Sequence, residues 1–231
     1  MKVNACFFDL DNTLYDYDAA HAVGMRSVAE FARDRLSLPE GEFLRLYEES
    51  MALQKRRSGE TSAAIHNRVI RFQLMLELLK KPPLLAPDLT RAYWDAFLGA
   101  VHPNASATAC IAKLKELGVR VGVGTNMTAD YQYEKLRRLD LLSALDWMVS
   151  SEEAGVEKPG GRFFTCCAGK AGVRGSACVF VGDDLEMDAL GAYRAGLTAV
   201  WLCADGSDRP LPRGVTRIRS LAELPDTLLA L

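Results

Sequence analysis

The hydrophobic pattern changes period along this chain, and each change marks a different kind of element. Residues 3–10 form a short, nearly continuous apolar run ending in aspartate, the pattern of a strand buried on both faces in a parallel sheet. From residue 18 to about residue 100, apolar positions recur every three or four: Val28, Phe31 and Ala32, then Phe43, Leu44, Tyr47 and Met51, then Val69, Phe72, Leu76 and Leu79. That spacing lines one face of a helix. Pro39, Gly59 and the Pro82-Pro83 pair punctuate the segment, because a proline inside a helix removes a hydrogen bond and clashes with the preceding turn. The pattern predicts about four helices and no strand.

After His102-Pro103-Asn104 the two periods alternate. Ile111, Leu114 and Leu117 make one helix face, Gly118 stops it, and residues 119–123 form a β-branched strand closing on Gly124-Thr125-Asn126. Further strands are predicted over 147–149, 178–181 and 198–202, each separated by a helix-length segment. Such alternation argues for an α/β protein with a doubly wound, Rossmann-like parallel sheet. The predicted organisation is an α/β core, residues 1–16 and 101–231, interrupted by a helical bundle over 17–100, with joints near 15–18 and 98–103.

Composition narrows the partners. Of 231 residues, 49% are hydrophobic and 25% charged, enough apolar material to offset the entropy of folding. A formal net charge of −2 offers nothing to nucleic acid or to an anionic membrane, which leaves small molecules. The opening residues run straight into the first strand without a leader-like apolar region, and no apolar run approaches the roughly 20 residues that span a bilayer. A cytoplasmic location is expected. Cys6, Cys178 and Cys203 sit in strand-like runs and read as buried thiols, while Cys166-Cys167 lacks the spacing of a zinc or redox pair. His21, His66 and His102 show no paired spacing and read as surface or packing residues.

In an open α/β sheet, ligands bind beyond the carboxyl ends of the strands, so the residues that follow each strand carry the chemistry. They are strongly polar here. Asp9-Leu10-Asp11-Asn12-Thr13 follows the first strand and Thr125-Asn126 the second; Lys158-Pro159 comes later, and then Gly182-Asp183-Asp184 with Asp188 downstream. Each cluster has an ordinary explanation on its own: Asp183 or Asp184 as a helix cap, Thr13 as a turn residue, Lys158 as a solvated side chain. Independent caps have no reason to occur in this order.

That order resembles the haloacid dehalogenase (HAD) superfamily, whose motifs are Asp-x-Asp-x-Thr, a Ser or Thr after a strand, a Lys, and Gly-Asp-x(3 or 4)-Asp. The insertion over 17–100 looks like the helical cap of the dehalogenase-like branch. The resemblance implies that Asp9 is a nucleophile forming an aspartyl phosphate and Asp11 a general acid and base. It gives Thr125, Asn126 and Lys158 to the transferring phosphoryl group, with Thr13, Asp184 and Asp188 in support. Phosphoryl transfer among several carboxylates needs a hard cation, and magnesium fits; Asp9 and Asp183 are its expected ligands, to which the resemblance adds the backbone carbonyl of Asp11. The expected activity is hydrolysis of a small phosphate ester, with phosphomutase as the alternative and a phosphoacceptor signalling module as a more distant one. A dehalogenase is disfavoured because Asp11 is present, and a halide leaving group needs no proton. Three positions depart from the usual pattern: Asn12 stands where glycine or aspartate is common, Asp184 where Ser or Thr is frequent, and Gly160-Gly161 where Asp-Pro often follows the lysine. Asp184 is read as either a metal-shell carboxylate or a cap. Tyr15, Tyr47 and Trp94 read as core aromatics, with base stacking the alternative. The insertion is expected to hinge over the catalytic strand ends and to select among leaving groups.

Overall fold

The computed structural model describes residues 3–230; Met1, Lys2 and Leu231 lie outside the described residues. The chain divides into two compact units, one of Met1–Asp16 with His102–Leu231 and the other of Tyr17–Val101.

The first unit is built on six parallel strands in the order β3-β2-β1-β4-β5-β6. These are β1 (Ala5–Phe8), β2 (Arg120–Thr125), β3 (Trp147–Ser150), β4 (Cys178–Gly182), β5 (Thr198–Leu202) and β6 (Val215–Ile218). β1 lies between β2 and β4, with Ala5 level with both Arg120 and Cys178. Every side chain of β1 and β4 is buried, as a strand covered on both faces requires. The predicted fold class is therefore the observed one, although β6 was not foreseen. It is an edge strand of four residues whose central Thr216 and Arg217 remain partly exposed, so no alternating or continuous apolar signal marks it.

Each helix N-terminus needs acceptors for its unpaired amides. Helices α1 (Tyr17–Leu36), α2 (Glu40–Ser58), α3 (Arg68–Leu78) and α4 (Ala86–Gly99) make up most of the second unit. Asn67 starts α3 by accepting from the Ile70 amide at 3.2 Å. In the first unit, α5 (Ala105–Glu116) is capped in the same way by Asn104, which accepts from Ser106 N–H at 3.0 Å. The remaining helices are α6 (Ala129–Arg138), α7 (Ser151–Ala154), α8 (Gly161–Lys170), a π-helical turn over Leu185–Leu190, α9 (Gly191–Arg194) and α10 (Leu224–Ala230).

Under the sheet, Phe7, Phe163, Phe164, Phe180 and Trp201 share one core with small residues of α8 and α9. Phe164 meets Phe180 edge to face with centroids 5.0 Å apart. Gly124 makes room for this cluster, since a Cβ there would sit 2.8 Å from the Phe180 ring.

The second unit corrects the helical reading in one respect. Leu44 and Val69, assigned to apolar faces, are 42% and 39% exposed. Charged and polar residues take buried positions instead: Arg71 donates to Gln54 Oε1 at 3.0 Å, to the Tyr47 hydroxyl at 2.9 Å and to the Ile65 carbonyl. Arg68 donates to the Tyr93 hydroxyl at 3.1 Å and lies over the Tyr93 ring, with 4.6 Å between guanidinium carbon and centroid. Tyr47 and Trp94 are buried within this unit, and Tyr15 within the first. All six cysteines are free thiols, and no helix among the described residues is long and apolar enough to cross a membrane.

Candidate active site

Strand topology brings the polar clusters together. β1 ends at Phe8 and β4 at Gly182, so Asp9 and Asp183 emerge from adjacent parallel strands at the same, carboxyl, end of the sheet. The Asp9 amide is fixed by donating to the Val181 carbonyl at 2.8 Å. The chain then turns at Asn12, whose φ of 60° lies in the left-handed region that asparagine and glycine tolerate. This explains why asparagine can stand where glycine is usual. The turn aims Thr13 at the end of β4: its hydroxyl donates to Asp183 Oδ1 at 3.0 Å and accepts from the Asp183 amide at 3.2 Å.

Carboxylate oxygens of Asp9, Asp183 and Asp188 lie within 4.8 Å of one another. Lys158, from the loop between α7 and α8, reaches into this group with only 5% of its side chain exposed. Its ammonium pairs with Asp9 Oδ1 and, at 2.7 Å, with Asp188 Oδ1. Asp188 also accepts from the Asp184 amide at 3.1 Å. It packs flat over Gly182, where a Cβ would lie 2.6 Å from the Asp188 Cβ, so the glycine is a steric condition for this arrangement.

Burial dominates the electrostatics of the group. It raises Asp9 above the ordinary carboxylate range, Asp188 and Asp11 add to the rise, and Lys158 opposes it. Asp183 is pushed up to about 6, first by burial and then by Asp9. Burial alone would lower Lys158, but Asp188 and Asp9 outweigh it and hold the ammonium above its ordinary range. Three carboxylates against one ammonium leave an excess of negative charge among oxygen donors. That donor set suits a hard divalent cation and is wrong for a soft one.

Other predicted residues have specific partners. Asn126 brackets the lysine loop, with Oδ1 accepting from the Lys158 amide at 2.8 Å and Nδ2 reaching the Lys158 carbonyl at 3.5 Å. Its side chain thus braces the lysine loop through both its oxygen and its nitrogen. Thr125 ends β2 and is 1% exposed. Asp184, for which two readings stood open, caps the turn that follows: Oδ1 accepts from the amides of Glu186 and Met187, both at 2.9 Å. Asp11 lies outside the three-carboxylate group, with both oxygens 2.8 Å from the Lys135 ammonium and Oδ1 also accepting from the Tyr15 hydroxyl at 2.6 Å.

Sequence reasoning passed over Lys135 and Gln132. Both are completely buried on α6, and Gln132 Nε2 donates to Thr125 Oγ1 at 2.6 Å. The local sequence hides this, because lysine and glutamine among Tyr131, Tyr133, Arg137 and Arg138 read as a solvated helix. Their spacing of three, which places them on one face, was the available signal.

Comparison with known proteins agrees with this geometry. The family model for haloacid dehalogenase-like hydrolases matches residues 3–196. A ribulose-1,5-bisphosphate 5-phosphatase from Halopiger xanaduensis is 36% identical over 199 residues, covering 85% of this chain and 83% of that protein. A glyceraldehyde 3-phosphate phosphatase from Methanopyrus kandleri is 31% identical over 86% of this chain and 83% of its own. Among solved structures, a 2-haloacid dehalogenase from Pseudomonas syringae pv. Tomato DC3000 superposes with a TM-score of 0.79 at 25% identity, covering 99% of this chain and 98% of the other. With a family model spanning most of the chain and phosphatases as its similar relatives, the chain belongs to the haloacid dehalogenase-like hydrolase family and is an enzyme of phosphatase type.

Proposed function

We propose that this enzyme is a magnesium-dependent phosphomonoester hydrolase acting on a small phosphorylated sugar through an aspartyl-phosphate intermediate. The convergence of Asp9, Asp183, Asp188 and Lys158 at the ends of β1 and β4 carries the reading. The names of the similar phosphatases support the sugar-phosphate class.

Asp9 attacks phosphorus with one carboxylate oxygen while the bond from phosphorus to the ester oxygen breaks, and Asp11 delivers a proton to the departing alkoxide. Water then attacks the aspartyl phosphate, Asp11 takes the proton, and inorganic phosphate and free Asp9 are released. The Lys158 ammonium balances charge on Asp9 and on the transferring oxygens, and Thr125 with the backbone amides after β2 donates to those oxygens. Asn126 braces the loop that carries Lys158. Asp9, Asp183 and the backbone carbonyl of Asp11 would hold magnesium, which when bound supplies charge neutralisation for an incoming phosphate dianion. Asp188 positions Lys158, Thr13 orients Asp183, and Asp184 keeps the turn between Asp183 and Asp188 in shape.

The experiment is a hydrolysis panel of triose, pentose and hexose phosphates, sugar acids and nucleotides, with magnesium and with chelator. Magnesium-dependent release of phosphate with sugar phosphates leading is expected. Full activity in chelator would remove the metal from the mechanism, and nucleotides leading would replace the substrate class.

A further inference from the structure

One face of α6 touches two groups that the proposed mechanism uses. Gln132 and Lys135 are one turn apart and both completely buried. Gln132 holds the Thr125 hydroxyl at 2.6 Å and the Asn126 carbonyl at 3.0 Å. Lys135 holds Asp11 with its ammonium equidistant, at 2.8 Å, from the two carboxylate oxygens. A two-oxygen contact of this kind centres the carboxylate on the ammonium, and a second donor to one oxygen is what fixes its rotation. Tyr15 adds a second donor to Oδ1 alone, at 2.6 Å.

From this arrangement we propose that Lys135 is a positioning residue for the acid–base step, holding the Asp11 carboxylate so that Oδ2 is the oxygen that exchanges the proton. The inference rests on the reading of Asp11 as general acid and base. Among the described residues Oδ1 accepts from Lys135 and Tyr15 together, whereas Oδ2 accepts from Lys135, so the freer lone pair belongs to Oδ2. A buried lysine is an expensive way to fill a helix–sheet interface, and a methionine or leucine would pack there without desolvating a charge. A directed contact with Asp11 accounts for the cation. Gln132 acts on a separate group: it donates to Thr125 Oγ1 and so fixes the hydroxyl oxygen, whose own proton goes to the Asn126 carbonyl at 3.3 Å until a phosphoryl oxygen competes for it.

The two positions therefore have different kinetic signatures. Proton delivery matters when the leaving group is a poor one, such as an alkoxide, and matters little when a nitrophenolate departs unaided. kcat/KM reports events up to departure of the leaving group, so it isolates the acid role from later hydrolysis of the phosphoenzyme. Lys135→Met is expected to lower kcat/KM for alkyl phosphates by about 100-fold, the scale on which a misplacement of about 1 Å acts. The same variant should lose less than about threefold for p-nitrophenyl phosphate, because general-acid assistance is the term removed. Gln132→Leu should lower both substrate types by one common factor. Asp11→Asn serves as the reference and should show the alkyl-selective loss in larger form.

If Asp11→Asn keeps wild-type turnover of alkyl esters, the acid–base reading fails and the role of Lys135 fails with it. If Asp11→Asn shows the selective loss and Lys135→Met weakens all esters equally or none, the positioning role alone is overturned. Lys135→Gln, which keeps one donor, decides the matter should the methionine variant not fold. An alkyl-selective loss intermediate between wild type and Asp11→Asn supports the proposal, and a uniform loss overturns it.

Discussion

Replacing Lys158 with methionine tests the charge arrangement of the site without any assay of activity. The side chain is 5% exposed and its ammonium stands between Asp9 and Asp188, so the variant leaves the buried carboxylates with no cation from the protein. Removing one partner of a buried ion pair costs about 3–5 kcal/mol. For a chain of this size each kcal/mol moves the melting temperature by about 2–4 °C, giving a deficit of about 6–20 °C. The pH dependence follows from the direction of the shifts. Burial raises Asp9 and Asp188 in the folded state and Lys158 pulls both down, so losing Lys158 raises their folded values further while the unfolded values stay put. A carboxyl raised on folding takes up protons as the chain folds, so stability falls as pH climbs from the unfolded value through the folded one. The deficit against wild type is therefore largest at pH 8. At pH 5 Asp9, which burial raises to about 7 even with Lys158 beside it, is protonated and leaves no bare charge, so the loss shrinks towards that of the hydrogen bonds, about 1–3 kcal/mol. Calorimetric melts of both proteins in chelator, at pH 5 and pH 8, measure this directly. An equal deficit at the two pH values, or none at pH 8, would refute the electrostatic account.

Asp9→Asn should abolish turnover with an unchanged circular dichroism spectrum, since the amide matches the carboxylate in shape but is no nucleophile; residual wild-type hydrolysis would end the covalent mechanism. Asp183→Ala should raise the half-saturating magnesium concentration by at least about tenfold, the range seen when groups supporting a bound metal are lost. In the wild type the same concentration should climb as pH falls from 7.5 to 5.5, because a carboxyl at about 6 binds protons in competition with the metal; a flat profile would count against Asp183 as ligand. Gly182→Ala should push Asp188 off Lys158 and cut kcat/KM by about 10–100-fold, the scale of a 1 Å misplacement. Unaltered kinetics in that variant would mean the Asp188 contact is dispensable.

Features set by local sequence were the legible ones. β5 occupies the predicted 198–202, β4 differs from prediction by one residue at its end, and β2 by one residue at its start and two at its end, because continuous apolar runs between Gly and polar turns admit few alternatives. The polar residues after β1, β2 and β4 could be found because the ends of parallel strands are where such residues collect. Burial decided by partners distant in sequence was not legible. Lys135 meets Asp11 across 124 positions, and no local pattern distinguishes it from Arg137 or Arg138 on the same helix. Arg68 and Arg71 lie in the interior of the second unit because phenols and carbonyls there accept their protons, while Leu44 and Val69 face outward. Periodicity counts apolar residues and cannot count acceptors.

The strand order also governs when the enzyme comes into being. β1 is made before the other five strands of this sheet, yet both of its neighbours are made late: Ala5 must wait for Arg120 on one side and Cys178 on the other. Until those segments leave the ribosome, Cys6, Phe7 and Phe8 have no sheet to join, whereas helices of the second unit close through shorter loops. Asp9 hangs from the end of that waiting strand, its amide held by Val181. A nascent or truncated chain lacking β4 therefore has nothing to hold the Asp9 amide in place, and the apolar β1 segment needs shelter until β4 is made.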